Sequence, residues 1–431
     1  MIKKPKSWFS TSSTPEKHLN AMIHVLASRE SSRLTAREVS RFQVLENLVP
    51  KSHSPAVNLL RQGVKPELVE HYSIAVGVGK ENHTSNRYMD VVPYDRTRVI
   101  VQWPLADTKT GKEGEINGRY LNANWILERM GKKWWIATQA PLRQTAHAFL
   151  SLILQPNVCP PPALLSSHSD DSLCIQAPTK TSRVRTVVQL TQNMENGRKK
   201  ADSYFPSDVG SSFFIHPQAG YDAPALKVTL LATKLIEQAH CIQSTVSIVP
   251  MSHPSQRVVE DVARENGYID ATDHEPVIFH HLLYLSWPDH GVPDPEDRAS
   301  LLAFIQLVEN TNRDISSSTI QPGASPDYTG TELDPDPPII VGCSAGIGRT
   351  GTFLALSSLL RASGFLPPAL RPTPSSVLPV SPLGPLPNDA TNDDVVQEID
   401  SLREQRPGMV QQAEQVVLIY KVLADADDAS K

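Results

Sequence analysis

The sequence predicts an α/β fold, and three observations carry that expectation. Runs of strand length rich in β-branched residues recur at Val184–Leu190, Leu226–Thr233, Ile242–Pro250 and Val277–Leu285. Helical spacing of apolar residues recurs around them, as at Leu301, Leu302, Ile305 and Val308. The short run Ile339-Ile340-Val341 stops at a glycine-rich turn, and an apolar helical pattern begins near Arg349, so a strand end meets a helix start. With 431 residues the chain has room for two or three average domains or for one large α/β domain with insertions. Its 36 prolines fall in clusters, which points to inserted loops.

Composition narrows the partners. Hydrophobic residues make up 40% of the chain and charged residues 20%, ordinary for a soluble globular protein. A net charge of −5 supplies no global basic field for nucleic acid or an anionic membrane, so neither is an expected partner. Cys159, Cys174, Cys241 and Cys343 lack the paired spacing of zinc sites or disulfide frameworks, so no metal is expected and a reducing compartment fits. The opening MIKKPKSWF lacks the apolar core of a signal peptide, and no segment has the length of a membrane span. The expectation is a cytoplasmic protein, with nothing that bars the nucleus.

Taken in order, residues 1–56 read as a polar segment followed by packing helices. Ser13-Thr14-Pro15-Glu16 caps a helix whose Leu19, Ile23 and Leu26 share a face. Further short helical pieces are expected at Ala36–Glu46 and Val57–Arg61, with no chemistry assigned to them. Residues 57–427 form the expected main domain, and 428–431 a tail. A turn at Pro93-Tyr94-Asp95 precedes a strand near Val99; Tyr120–Ile126 and Trp135–Leu142 supply strand and turn elements. A helix from about Gln144 to Leu154 ends before Pro156. Three stretches rich in proline and polar residues, near 156–182, 312–337 and 362–390, read as insertions. The last contains eight prolines, with PVSP and PLGP as minimal patterns for an SH3-like partner, although it reads first as an unstructured connector. Asn392-Asp393-Asp394 then caps a helix carrying Val395, Ile399 and Leu402, and a final helix runs to about Leu423.

The glycine-rich turn carries the chemistry. Cys343 stands at the strand end and Arg349, six residues on, opens the helix. Between them Ser344, Ala345, Gly346, Ile347 and Gly348 are mostly small, so successive N–H groups can turn inward as a nest for an anion. The helix start adds partial positive charge at the same place. A thiol there should lose its proton easily. Gly346, Gly348 and Gly351 also spell the GxGxxG of a dinucleotide site, but that pattern needs a second strand ending in an acidic residue. Here the chain runs instead into Gly364-Phe365-Leu366-Pro367-Pro368.

The string CSAGIGRTG resembles the active-site signature of the protein tyrosine phosphatases, the cysteine-based, non-receptor type among them. The resemblance implies one α/β domain with a highly twisted mixed sheet flanked by helices and interrupted by the insertions. It implies that Cys343 is the nucleophile, that residues Ser344 to Gly348 and Arg349 bind the phosphoryl oxygens, and that Thr350 donates to the sulfur. Trp287-Pro288-Asp289 resembles the family's mobile acid loop, which makes Asp289 the general acid and then base. Tyr88 and Asp90 match the residues that stack on the substrate ring and hold its backbone. Gln411 and Gln415 match the two glutamines that place the hydrolytic water, while Glu195 buttresses Arg349 and Lys200 approaches the acid loop. Five motifs fall in family order from Asn86 to Gln415, about three quarters of the chain. Three positions depart from the common pattern: Met89 where a basic residue is frequent, Gly342 where histidine is usual, and Gln412 where threonine is common. The expected activity is hydrolysis of phosphotyrosine on proteins, with no cofactor. A dual-specificity phosphatase and a low-activity phosphotyrosine-binding module are the alternatives.

Overall fold

The computed structural model describes residues 15–48, 63–102, 118–161, 164, 180–221, 223–251, 276–289, 291–316 and 332–429. Strands in chain order are β1 (Arg98–Val101), β2 (Arg119–Leu127), β3 (Trp134–Gln139), β4 (Lys180–Thr181), β5 (Thr186–Gln189), β6 (Met194–Glu195) and β7 (Arg198–Lys199). They continue with β8 (Ser212–Ile215), β9 (Leu226–Ile236), β10 (Cys241–Pro250), β11 (Val277–Tyr284), β12 (Glu332–Leu333) and β13 (Ile339–Cys343). The principal sheet has the order β1-β2-β3-β13-β5-β11-β10-β9-β8. It is mixed: β3, β13, β5 and β11 run parallel at the centre, and every other pairing in it is antiparallel. β13 lies between β3 and β5, with Ile340 opposite both Ile136 and Val187. All five of its residues are buried, as expected of a parallel strand covered on both faces.

The longer helices are α1 (Pro15–Leu48), α2 (Ala146–Leu154), α3 (Arg298–Arg313), α4 (Gly348–Ala362), α5 (Asp394–Gln405) and α6 (Ala413–Ala429). Strand alternation divides the core in two. Ile339 and Val341 of β13 face a cluster with Phe304 of α3, Phe353 of α4, Ile399 of α5 and Ile419 of α6. Ile340 faces the other cluster, with Phe149 and Ile153 of α2. Helices therefore cover both faces, as the resemblance implied.

Three expectations need correction. The two helical pieces before residue 48 are one 34-residue helix, α1. No proline or glycine interrupts 16–48, and the helix buries charge as well as apolar residues: Arg33 is fully enclosed. The piece expected at Val57–Arg61 lies outside the described residues. The second insertion begins later than residue 312, because α3 extends through Arg313 and the buried Asn312 donates to Pro337 O at 2.9 Å. Most of the first two insertions lies outside the described residues, but their ends meet where β4 pairs in parallel with β12. Finally, 362–390 is a strap held against the fold. Leu366, Val377 and Ala390 are buried, and Trp134 Nε1 donates to Thr373 Oγ1 at 3.0 Å. Proline removes donors and leaves carbonyls, and the fold supplies donors to match. Arg313 Nη2 takes Pro368 O at 2.7 Å, and Arg29 Nη2 takes Gly384 O at 3.1 Å. Within the PVSP and PLGP strings, Ser381 Oγ donates to Glu404 Oε1 at 2.9 Å and Leu383 packs against the Tyr72–Tyr94 cluster.

Glu404 collects much of this side of the molecule. It accepts from Arg33 Nη2 at 2.6 Å, Tyr72 OH at 2.8 Å and Ser381, and lies 3.1 Å from His71 Nε2. Burial alone would raise its carboxyl, but the hydrogen bonds and the Arg33 charge hold it far below the usual carboxylate range. Its stabilising contribution is therefore complete above the unfolded glutamate value and is lost as pH falls below it. Glu404→Gln leaves the enclosed Arg33 short of counter-charge and should cost about 3 kcal/mol at pH 7. The gap to wild type should narrow below about pH 4. Urea unfolding at pH 7 and pH 3 measures both, and an equal gap at the two pH values rejects the assignment.

Candidate active site

Cys343 ends β13 at the carboxyl edge of the parallel strands, where open α/β sheets form their crevices. The turn that follows depends on two close approaches to β3. A Cβ at Gly342 would lie 2.7 Å from Thr138 O, and at Gly346, with φ of +73°, it would enter the same carbonyl. The turn's peptide groups are sorted by direction. Ser344 O accepts from Ala140 N at 3.1 Å. Ala345 O and Gly346 O accept from Arg406 Nη2 and Nε at 3.0 and 2.8 Å. With the carbonyls held outward, Gly346 N donates to Cys343 Sγ at 3.3 Å. The amides of Ala345, Ile347, Gly348 and Arg349 donate to no backbone carbonyl among the described residues. Without backbone acceptors, they are the groups with which an anion nest over the sulfur could be made.

Arg406 lies in the stretch Arg403–Gln411 that resembles the last family motif, but nothing local in the sequence marks it as a partner of the turn. It is completely buried, and its other hydrogen bonds go to Asn124 Oδ1 at 2.7 Å and Asn122 Oδ1 at 2.9 Å on β2. Burial lowers its pKa to about 10.

Arg349 opens α4 and lies over the nest. Its Nη1 donates to Glu195 Oε1 at 2.6 Å and Leu190 O at 3.0 Å; its Nη2 donates to Glu195 Oε2 at 2.8 Å and Pro288 O at 2.9 Å. Burial alone would lower its pKa, but the Glu195 hydrogen bonds and the charges of Cys343, Glu195 and Asp289 raise it. Glu195 is placed by the β6–β7 hairpin, whose Asn196 and Gly197 adopt φ of 49° and 72°. Asn-Gly is the strongest short signal for such a turn.

Asp289 reaches the same cleft. Its Oδ1 lies 2.8 Å from Lys200 Nζ and 3.4 Å from Arg349 Nη2. Trp287, buried beside Tyr284, anchors the loop by donating Nε1 to Gly291 O at 3.2 Å. Tyr88 OH bonds Ser344 Oγ at 2.8 Å, and Ser344 Oγ in turn donates to Lys200 O at 2.8 Å. The cleft holds about 290 Å³, and its walls bring together Cys343, Arg349, Asp289, Glu195, Lys200 and Tyr88. Asp90, Ser344, Ala345, Gly348, Gln411 and Gln415 also line it. Gln412, noted only as a departure in the sequence, lines it as well. Gly346, Ile347 and Thr350 do not line it. Ile347 packs its side chain into the core and Gly346 bonds the sulfur through its amide. Thr350 Oγ1 is buried with no hydrogen-bond partner among the described residues.

The family profile described as "Protein-tyrosine phosphatase" matches residues 82–160 and 179–363, more than half of the chain. The chain is 27% identical over 351 residues to receptor-type tyrosine-protein phosphatase eta of Mus musculus, covering 81% of this chain and 19% of that protein. It is 29% identical over 295 residues to receptor-type tyrosine-protein phosphatase H of Homo sapiens, covering 68% of this chain and 19% of that protein. It thus spans about a fifth of the length of these two relatives. A crystal structure of the catalytic domain of human protein tyrosine phosphatase non-receptor type 18 aligns with a TM-score of 0.49 at 24% identity, covering 82% of this chain and 88% of that one.

The close approach at Gly342 has a measurable cost. Gly342→Ala drives a methyl against the Thr138 carbonyl and should destabilise the fold by about 1–3 kcal/mol, with Gly342→His worse. Thermal unfolding of both variants tests this, and an unchanged midpoint for alanine would show that the strands are not so closely opposed.

Proposed function

Because the chain belongs to the protein-tyrosine phosphatase family, we propose that it hydrolyses phosphotyrosine on proteins through a cysteinyl-phosphate intermediate. The observation that carries this is the convergence of Cys343, the inward amides, Arg349 and Asp289 on one cleft. Cys343 thiolate attacks phosphorus in line; a P–S bond forms as the P–O bond to tyrosine breaks. Arg349 and the amides take up the equatorial oxygens. Asp289 gives its proton to the departing phenolic oxygen. Water held by Gln411 and Gln415 then attacks phosphorus, passes a proton to Asp289, and releases inorganic phosphate and the thiolate. The donation from Thr350 that the resemblance implied is not made among the described residues.

Substrate class follows from depth. Tyr88 forms one wall of the cleft and its hydroxyl meets the nest residue Ser344, which supports a tyrosine-lined approach suited to a long side chain. Phosphotyrosine is such a side chain and phosphoserine is not. This favours phosphotyrosine over dual specificity, and the presence of Cys343, Arg349 and Asp289 together favours catalysis over binding alone. We place the activity in cytoplasmic signalling on phosphotyrosine proteins. An SH3-like partner would have to draw PVSP or PLGP off the contacts made by Ser381 and Leu383.

Turnover of phosphotyrosyl and phosphoseryl peptides with EDTA present tests the assignment; comparable rates on both reject it. Cys343→Ser should abolish turnover yet keep phosphotyrosyl peptide binding, because Arg349 and the nest remain. Residual activity within tenfold of wild type rejects the covalent route. Asp289→Ala should lower kcat by about 10²–10⁴, with the loss shrinking as the leaving group becomes more acidic. A loss independent of the leaving group assigns Asp289 another role.

A further inference from the structure

Arginines recur every four residues along the second half of α1, at Arg29, Arg33, Arg37 and Arg41. The first two dock on α5: Arg29 Nε donates to Asp400 Oδ1 at 2.9 Å, and Arg33 Nη2 to Asp400 and Glu404, each at 2.6 Å. Arg37 Nη1 donates to the buried Tyr94 OH at 2.9 Å. Arg41 goes further, and its Nη1 donates to Met89 O at 2.8 Å. Met89 stands between Tyr88 and Asp90, the two cleft residues expected to meet a substrate's ring and backbone. Its own side chain is exposed, so the carbonyl rather than the side chain ties this part of the loop to the fold.

We propose that Arg41, carried on α1, is a positioning residue for recognition of the phosphotyrosyl peptide, acting through the Met89 carbonyl; this rests on the phosphatase assignment above. The peptide unit is planar, so fixing Met89 O also fixes the Asp90 N–H and the Cα from which the Asp90 side chain leaves the loop. Inner anchors hold the other side: Arg87 N donates to Gln139 Oε1 at 2.8 Å, and the Arg87 guanidinium to Pro141 O at 2.9 Å and Asp202 Oδ2 at 2.7 Å. Arg41 thus braces the outer face of a loop whose inner face is already fixed. The same helix reaches the glutamine loop, since Arg403 donates Nη1 to Leu26 O while its Nε and Nη2 hold Met409 O and Val410 O just before Gln411. A loop ordered before binding spares the peptide that ordering cost. A small aryl phosphate fills the nest without calling on Asp90.

The test compares wild type, Arg41→Ala and Arg41→Lys on a phosphotyrosyl peptide and on p-nitrophenyl phosphate. Arg41→Ala should raise KM for the peptide about three- to tenfold, the worth of one hydrogen bond, with its kcat and both constants for the aryl phosphate unchanged. Arg41→Lys should recover part of the loss. An unchanged peptide KM, or an equal change for both substrates, overturns the proposal. Peptide affinity measured in the Cys343→Ser background reads the same difference without turnover. If wild type hydrolyses neither substrate, the phosphatase assignment fails on its own; the ratio of peptide affinities with and without Arg41→Ala in that background still decides the role of Arg41.

Discussion

The structure depends on one sorting of peptide groups, carbonyls outward and amides inward, across residues Ser344 to Gly348. A backbone does not hold that polarity unaided, because outward carbonyls need donors in a place from which water is excluded. Arg406 is the donor. It is enclosed on every side, takes Ala345 O and Gly346 O, and is itself held by Asn122 and Asn124 of β2. A cation buried at that depth is costly, and its lowered pKa records the cost. The free amides above Cys343 are what that cost maintains.

A second set of charges performs the same service at larger scale. Glu404 and Asp400 of α5 draw in Arg33 and Arg29 of α1, while Glu404 also gathers the strap through Ser381 and the Tyr72 turn. On the opposite flank of α4, Arg361 lies between Glu128 and Glu309, with Lys133 and Asp336 beyond. Each carboxylate has partners from elements far apart in sequence. Such networks are weak sources of net stability, but breaking one partner strands another, so they fix how elements are placed. Placement is what a cleft assembled from widely separated loops requires.

The sequence disclosed those parts whose evidence is local. The strand, turn and helix around CSAGIGRTG and the Asp393 cap could be read directly, while the WPD segment and the order of the motifs were legible through the family resemblance. Asp393 does accept from Val395 N and Val396 N. Hidden were the parts whose evidence lies in a distant partner. The partners of Arg33, Arg41 and Arg406, which are Glu404, the Met89 carbonyl and the Ala345 carbonyl, lie far off in the chain, and no local pattern names them. The strap read as a connector because prolines forbid regular pairing, although their carbonyls still accept from Arg29, Arg313 and Arg361. The Asn196-Gly197 turn has a local signal, and Glu195, which the resemblance set beside Arg349, lies within hydrogen-bond distance of it.

Counting hydrogens on Arg349 shows how the cleft is poised. Nη1 carries two, and Leu190 O and Glu195 Oε1 take both. Nη2 also carries two, yet three oxygens crowd it: Glu195 Oε2 at 2.8 Å, Pro288 O at 2.9 Å and Asp289 Oδ1 at 3.4 Å. Asp289 is the weakest claimant and has Lys200 as a second partner at 2.8 Å. Nε donates to nothing among the described residues. A phosphoryl group entering the cleft therefore meets one unused hydrogen on Nε, while both hydrogens of Nη2 are already held by Glu195 and Pro288, so gripping the paired Nε–Nη2 edge requires the Pro288 carbonyl to yield. In the proposed reaction, taking that edge displaces the carbonyl next to Asp289 and leaves Lys200 beside the carboxyl. Pro288 and Asp289 are neighbours on one loop, so in that reaction phosphate binding and the proposed proton donor are joined through a single contested nitrogen.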